Sequence, residues 1–162
     1  MSPQAKARPN PGSSPRPAPP RVPDISLSGA GRFPGLASGG LRTWLTELVA
    51  DLAPGHDSVG VRFAGDRTVR RLNRDYRGKD KATDVLSFPG AESPEGRHLG
   101  DIVISIPTAE RQAAGGGRSL EQEVKTLLLH GVLHCLGYDH ETDQGAMEKL
   151  EGRLRRRWLK RS

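Results

Sequence analysis

The 162 residues carry 25 Lys and Arg against 19 Asp and Glu, a formal charge of +6, and one cysteine. That length suits one domain with a core rather than two. The lone thiol excludes an internal disulfide and gives no sign of an oxidising compartment, and no apolar run is long enough to cross a membrane.

Residues 1–23 hold eight of the 13 prolines, four basic residues with no acid, and no Leu, Ile, Phe, Tyr or Trp. Such a stretch cannot bury enough apolar surface to offset the entropy of ordering. A disordered, basic, Pro-rich tail over 1–30 is therefore predicted ahead of one folded domain over 31–162. The tail lacks the apolar core of a secretion signal, and its prolines would spoil an amphipathic transit helix. The cytoplasm is the expected location, with no membrane contact. The positive excess, also present from Arg153 to Arg161, fits a polyanionic partner; a tail that merely aids solubility is the plain alternative.

Leu41, Trp44, Leu45, Leu48, Val49 and Leu52 recur at helical spacing, so 41–52 is a predicted amphipathic helix, stopped by Pro54-Gly55. Val59, Val61 and Phe63 alternate with small or polar residues, predicting a strand over 58–64. Asp66 is the expected cap of a helix running to about Tyr76, with Val69 and Leu72 inward. A short strand is predicted over 84–88, a flexible segment over 90–97 and another strand over 99–106. Pro107 suits the first turn of a short helix that ends near Gly115-Gly116-Gly117.

Ser119 and Gln122 then form a capping-box pattern. Val124, Leu127, Leu128, Val132 and Cys135 follow at helical spacing, so a helix over about 120–136 is expected, stopped at Gly137. A last helix over about 143–159 places Met147, Leu150, Leu154 and Trp158 on one face. Helices and at least three strands alternate without strict βαβ regularity, which points to an α+β domain with a small sheet.

The segment His130-Gly131-Val132-Leu133-His134-Cys135-Leu136-Gly137-Tyr138-Asp139-His140 carries the chemistry. His130 and His134 are four apart, so their rings lie on one helix face about a turn from each other and can reach one ion. Gly137 can adopt the left-handed conformation that turns the chain back, bringing His140 to the same ion. Three neutral imidazoles leave a fourth position of one zinc ion open for water, whose pKa falls to about 7 in such sites. A closed structural site would take Cys as fourth ligand, but Cys135 points about 100° away, toward the core stripe. His56 and His98 fall in predicted loops and receive no role.

The spacing also fits the metallopeptidase frame H-E-x-x-H-x-x-G-x-x-H, except that Gly131 replaces the glutamate serving as general base. Without that carboxylate, water activation and leaving-group protonation lose their agent. Glu141 or Asp139 are the candidates to substitute, though nothing in the spacing puts either at the vacated place. A non-catalytic protein with structural zinc is the remaining alternative.

The same segment resembles the signature of the YbeY family, zinc-dependent endoribonucleases of bacteria and organelles. Tyr76-Arg77-Gly78-Lys79-Asp80-Lys81-Ala82-Thr83-Asp84-Val85-Leu86-Ser87-Phe88-Pro89 is similar to the family's R-G-K-D-x-x-T-[DN]-V-L-S-F-P block. Leu99-Gly100-Asp101-Ile102-Val103-Ile104 is similar to its L-G-D-[IL]-x-I strand. The resemblance covers about residues 40–158; Cys135 stands where the family more often has leucine.

The resemblance implies a zincin-like α+β domain, its small mixed sheet packed on helices with the metal-binding helix at its centre. It implies cleavage of single-stranded RNA, maturation of the small-subunit rRNA 3′ end and a part in ribosome quality control, with the small subunit or assembly factors as partners. His130, His134 and His140 carry over as ligands of one zinc, and Arg77 as the basic catalytic or RNA-contacting residue. An arginine can grip phosphate oxygens with two parallel hydrogen bonds, and Lys79 can add a looser contact. Taken alone, Arg77-Gly78-Lys79-Asp80-Lys81 would read as a solvated turn. Asp139 is a candidate to orient a ligand ring or a turn residue, and Tyr138 a candidate to stack a base or a packing residue. Both a zinc-activated water and the 2′-hydroxyl of RNA remain open as nucleophile.

Overall fold

The computed structural model describes residues 22–139 and 144–159. Five strands run in the order β1 (Asp24–Ser28), β2 (Ser58–Ala64), β3 (Val85–Pro89), β4 (Glu92–Ser93) and β5 (Gly96–Ser105). The helices are α1 (Ser38–Leu52), α2 (Asp66–Arg77), α3 (Ile106–Gly115), α4 (Leu120–Cys135) and α5 (Ala146–Trp158), with one 3-10 turn at Ala30–Arg32. The sheet order is β1-β2-β5-β3, and β4 pairs with β5. β1, β2 and β5 are parallel, whereas β3 runs antiparallel to β5 with Leu86 opposite Val103 and Ser87 opposite Ile102. This is a small mixed α/β domain.

Alternation along the strands feeds two cores. Val59, Val61, Phe63, Leu99, Ile102 and Ile104 meet the apolar faces of α1, α4 and α5, where Leu41, Leu45, Leu48, Leu128, Val132 and Met147 are fully enclosed. On the other face Ala64, Leu86 and Val103 bury Val69 of α2, with Leu72 and Phe88 alongside. Trp44 of α1 and Trp158 of α5 meet edge to face, and the Trp44 indole N–H donates to the Trp158 carbonyl at 3.1 Å.

Several expectations need correction. Residues 24–30, placed with the tail, contain β1 and the start of the 3-10 turn; Ile25 and Leu27 alternate with polar residues, and Ile25 is buried in the main core. The tail residues 1–21 lie outside the described residues. The segment 90–97 is a tight excursion rather than an open loop: Glu92–Ser93 fold back on Gly96–Arg97. Asp66 is the first helical residue, after Gly65, and does not cap α2. Its carboxylate instead accepts from Ser105 Oγ at 2.5 Å, Thr108 Oγ1 at 2.6 Å and Arg111 Nη2 at 3.0 Å, tying α2 to the start of α3. His98 lies in β5, where its Nδ1 is 2.7 Å from Ser58 Oγ and its Nε2 is 3.2 Å from Asp101.

Candidate metal centre and cleft

The capping box forms as its residues dictate. The Gln122 N–H donates to Ser119 Oγ at 3.1 Å, and the Ser119 N–H to Gln122 Oε1 at 3.0 Å. With Glu121 and Glu123 in the first turn favouring the positive end of the dipole, α4 starts firmly. It ends at Gly137, whose φ of +99° allows the Gly137 N–H to donate to the His134 carbonyl at 2.9 Å and the Tyr138 N–H to the Leu133 carbonyl at 3.1 Å.

Between these ends, His130 and His134 project from one face. Their Nε2 atoms are 3.0 Å apart and their ring centroids 4.5 Å apart. Two imidazoles bound to one tetrahedral zinc at about 2.0–2.1 Å each would have their nitrogens about 3.3 Å apart. A slight ring rotation supplies the difference. Behind His130, both carboxylate oxygens of Glu151 lie 3.2 Å from Nδ1. With the Nδ1 proton held there, the Nε2 lone pair faces the cleft, the tautomer a metal needs. The donor set of this pair therefore fits a divalent transition ion. Burial pushes the Glu151 carboxyl up, but the His130 ring and Arg155, 3.1 Å away, outweigh it and hold the group below the ordinary carboxylate range.

The third expected ligand, His140, lies outside the described residues, as does Glu141. Among the described residues no group of three or more His, Cys, Asp or Glu surrounds a common point. Cys135 packs against the core, and burial together with the charge of Asp101 pushes its thiol up to about 12. It stays protonated and away from the histidine pair, as its position on the helix predicted.

Gly131 explains how α4 gets so close to the sheet. A Cβ there would lie 2.9 Å from Ile102 Cγ2, 3.0 Å from Ile102 Cδ1 and 3.1 Å from Ser87 Oγ. The place a metallopeptidase gives to its glutamate is filled here by β5 and β3.

An open cleft of about 450 Å³ lies over the pair, lined by His130, His134, Gly137, Tyr138 and Asp139 from α4 and its end. Arg77 and Lys79 come from the end of α2, and Thr83, Asp84, Val85 and Ser87 from β3 and the turn before it. Arg77 reaches across the edge of β3, donating Nη2–H to the Ser87 carbonyl at 2.9 Å. The loop bearing Lys79 is built rather than merely solvated. Gly78 takes φ +69°, buried Asn73 donates Nδ2–H to the Lys81 carbonyl at 3.0 Å, and Asp80 pairs with Arg70 at 2.9 Å. Glu151 and Asn73 escaped the sequence reading. The one cue for each was a polar side chain on an apolar stripe, Glu151 among Met147, Leu154 and Trp158 and Asn73 beside Val69 and Leu72.

The family model described as Endoribonuclease YbeY matches residues 39–158. The chain is 52% identical over 111 residues to Endoribonuclease YbeY of Solibacter usitatus, covering 68% of this chain and 70% of that protein. It is 48% identical over 120 residues to the namesake from Myxococcus xanthus, covering 70% of this chain but 41% of the relative's length. The solution structure of a Thermotoga maritima protein is similar with a TM-score of 0.56 at 26% identity, covering 83% of this chain and 86% of that one.

Proposed function

Because the chain belongs to the Endoribonuclease YbeY family, we propose that it is a zinc-dependent endoribonuclease that cuts single-stranded RNA. Its proposed setting is maturation of the small-subunit rRNA 3′ end and ribosome quality control in the cytoplasm, with the small subunit or its assembly factors as partners. The observation that carries this reading is the convergence of the His130 and His134 Nε2 atoms at 3.0 Å in a cleft that also holds Arg77.

His130 and His134, with His140 as the third ligand, would hold one zinc ion. A zinc ion on neutral ligands keeps its double positive charge and supplies Lewis acidity toward phosphoryl oxygens. Glu151 orients the His130 ring. Arg77 uses one of its five N–H donors on Ser87 and presents others to phosphate oxygens, where negative charge grows during phosphodiester cleavage. Lys79 adds a point charge at the same wall.

The peptidase alternative loses support at two places. Gly131 leaves no room for a carboxylate. In addition, an edge strand beside a metal would hold an extended peptide through free backbone groups. On β3 the Ser87 carbonyl is taken by Arg77, the Val85 N–H by Asp84 Oδ1 at 2.8 Å, and Pro89 has no N–H.

The test is to incubate the purified chain with an unstructured RNA and with a denatured protein. RNA cleavage that a chelator stops, with the protein left intact, is the expected result. Cleavage of the protein, or RNA cleavage indifferent to chelator, contradicts the proposal. A 5′-phosphate on the products would identify water as nucleophile, and a 2′,3′-cyclic phosphate the RNA's own hydroxyl.

A further inference from the structure

The chain has two tyrosines, and both are exposed at the cleft. Tyr76 is 72% exposed and Tyr138 is 39% exposed; Val22 is the other exposed large apolar residue among those described. The two tryptophans are buried against each other. Rings kept in water beside a charged cleft call for a partner with flat apolar faces.

Each ring is placed by its neighbours. Tyr138 follows the left-handed Gly137, its N–H is fixed on the Leu133 carbonyl, and it lines the cleft with His134. Tyr76 precedes Arg77, and the two straddle edge strand β3. Arg77 bonds the Ser87 carbonyl, while the Tyr76 ring meets Phe88 edge-on at a centroid distance of 5.5 Å. One side chain thus enters the cleft and the next holds an aromatic surface at its lip.

The surrounding charge selects the partner. Residues 66–81 carry seven basic side chains and three acids. The acids pair with Arg111, Arg74 and Arg70. Arg67, Arg71, Lys79 and Lys81 stand outside the ion pairs found among the described residues, so the lip carries a positive surplus. Cations interleaved with exposed aromatic rings are the surface that binds unpaired nucleic acid, through phosphates and base faces together.

We propose that Tyr76 and Tyr138 are base-stacking platforms for nucleotides of unpaired RNA on either side of a phosphate held at Arg77. The proposal rests on the endoribonuclease reading and adds the source of its strand preference. Bases stacked in a duplex cannot lie on these rings, whereas any unpaired base can, because every base has a π-face.

The zinc-loaded full chain is titrated into a fluorescently labelled 2′-O-methyl oligoadenylate, and into the same backbone carrying abasic positions, with anisotropy as the readout. Tyr76→Ala and Tyr138→Ala are each expected to weaken binding of the base-bearing strand by roughly tenfold. Tyr76→Phe and Tyr138→Phe should bind like the parent, and all the proteins should bind the abasic strand alike. Alanine variants that hold the base-bearing strand as the parent does, or that lose both strands equally, overturn the platforms. Should an alanine variant melt early, the parent alone decides, since equal affinity for base-bearing and abasic strands overturns the proposal. A parent that neither binds nor cuts any RNA instead removes the endoribonuclease reading beneath it.

Discussion

At His130 a single carboxylate determines what the ring offers. Glu151 lies 3.2 Å from Nδ1 through both oxygens, and Arg155 holds the carboxylate from the far side. Partners of this kind typically contribute ten- to a hundredfold to metal affinity. Glu151→Gln keeps the shape but removes the charge, and its zinc affinity, read by competition with a chromophoric chelator, should fall by roughly that factor while the melting midpoint of the metal-free protein changes little. Unchanged affinity would remove Glu151 from the site. The histidine pair was legible because four residues of helix fix its geometry. Glu151 was not, because it arrives from a helix 21 residues away, and no local pattern says which turn of α5 faces His130.

Among the elements, α4 and its contact with β5 set the position of the cleft. Gly131 lets the helix approach until its Cα side meets Ile102, a β-branched residue with no exposure and little freedom to move. Gly131→Ala should therefore destabilise the fold by about 1–3 kcal/mol, read by urea unfolding, the usual cost of forcing a methyl into a filled core. Stability equal to or above the parent's would mean that α4 can lift off without cost. α2 and α3 are joined at Asp66, whose carboxyl is held below its ordinary value near 3.8 by hydrogen bonds from Ser105 and Thr108, against a smaller opposing effect of burial, and by Arg111. Because the folded value lies below the unfolded one, this contribution is complete above about pH 4 and drains away as the pH falls through the folded value. Asp66→Asn should lower the melting midpoint at neutral pH and flatten its decline with acid, as seen by calorimetry from pH 7 to about 3. Parallel melting curves for parent and variant would show that the junction is not ionic. The residue pattern suggested a cap because Asp66 opens a helix; its true partners lie 39 to 45 positions onward, beyond any local window.

Over the whole molecule, helices with strong punctuation were the most legible. Ser119 and Gly137 bracket α4, Pro107 opens α3, and the regular stripe of Leu and Trp residues defines α1. β1 was obscured because its five residues offer two large apolar side chains directly after a proline-rich run, and it is held by parallel pairing with β2. The cleft itself joins the ends of α2 and α4 to edge strand β3, three pieces that chain order separates and sheet topology reunites. The central claim is that this junction is a metal-dependent RNA-cutting site. Zinc titrated back into chelator-treated protein, with cleavage of an unstructured RNA followed at each addition, tests it most directly. Activity should rise from zero and break at one equivalent per chain, and His134→Ala should stay inactive throughout while remaining folded; full cleavage by the stripped protein, or intact RNA at every loading, would contradict the account.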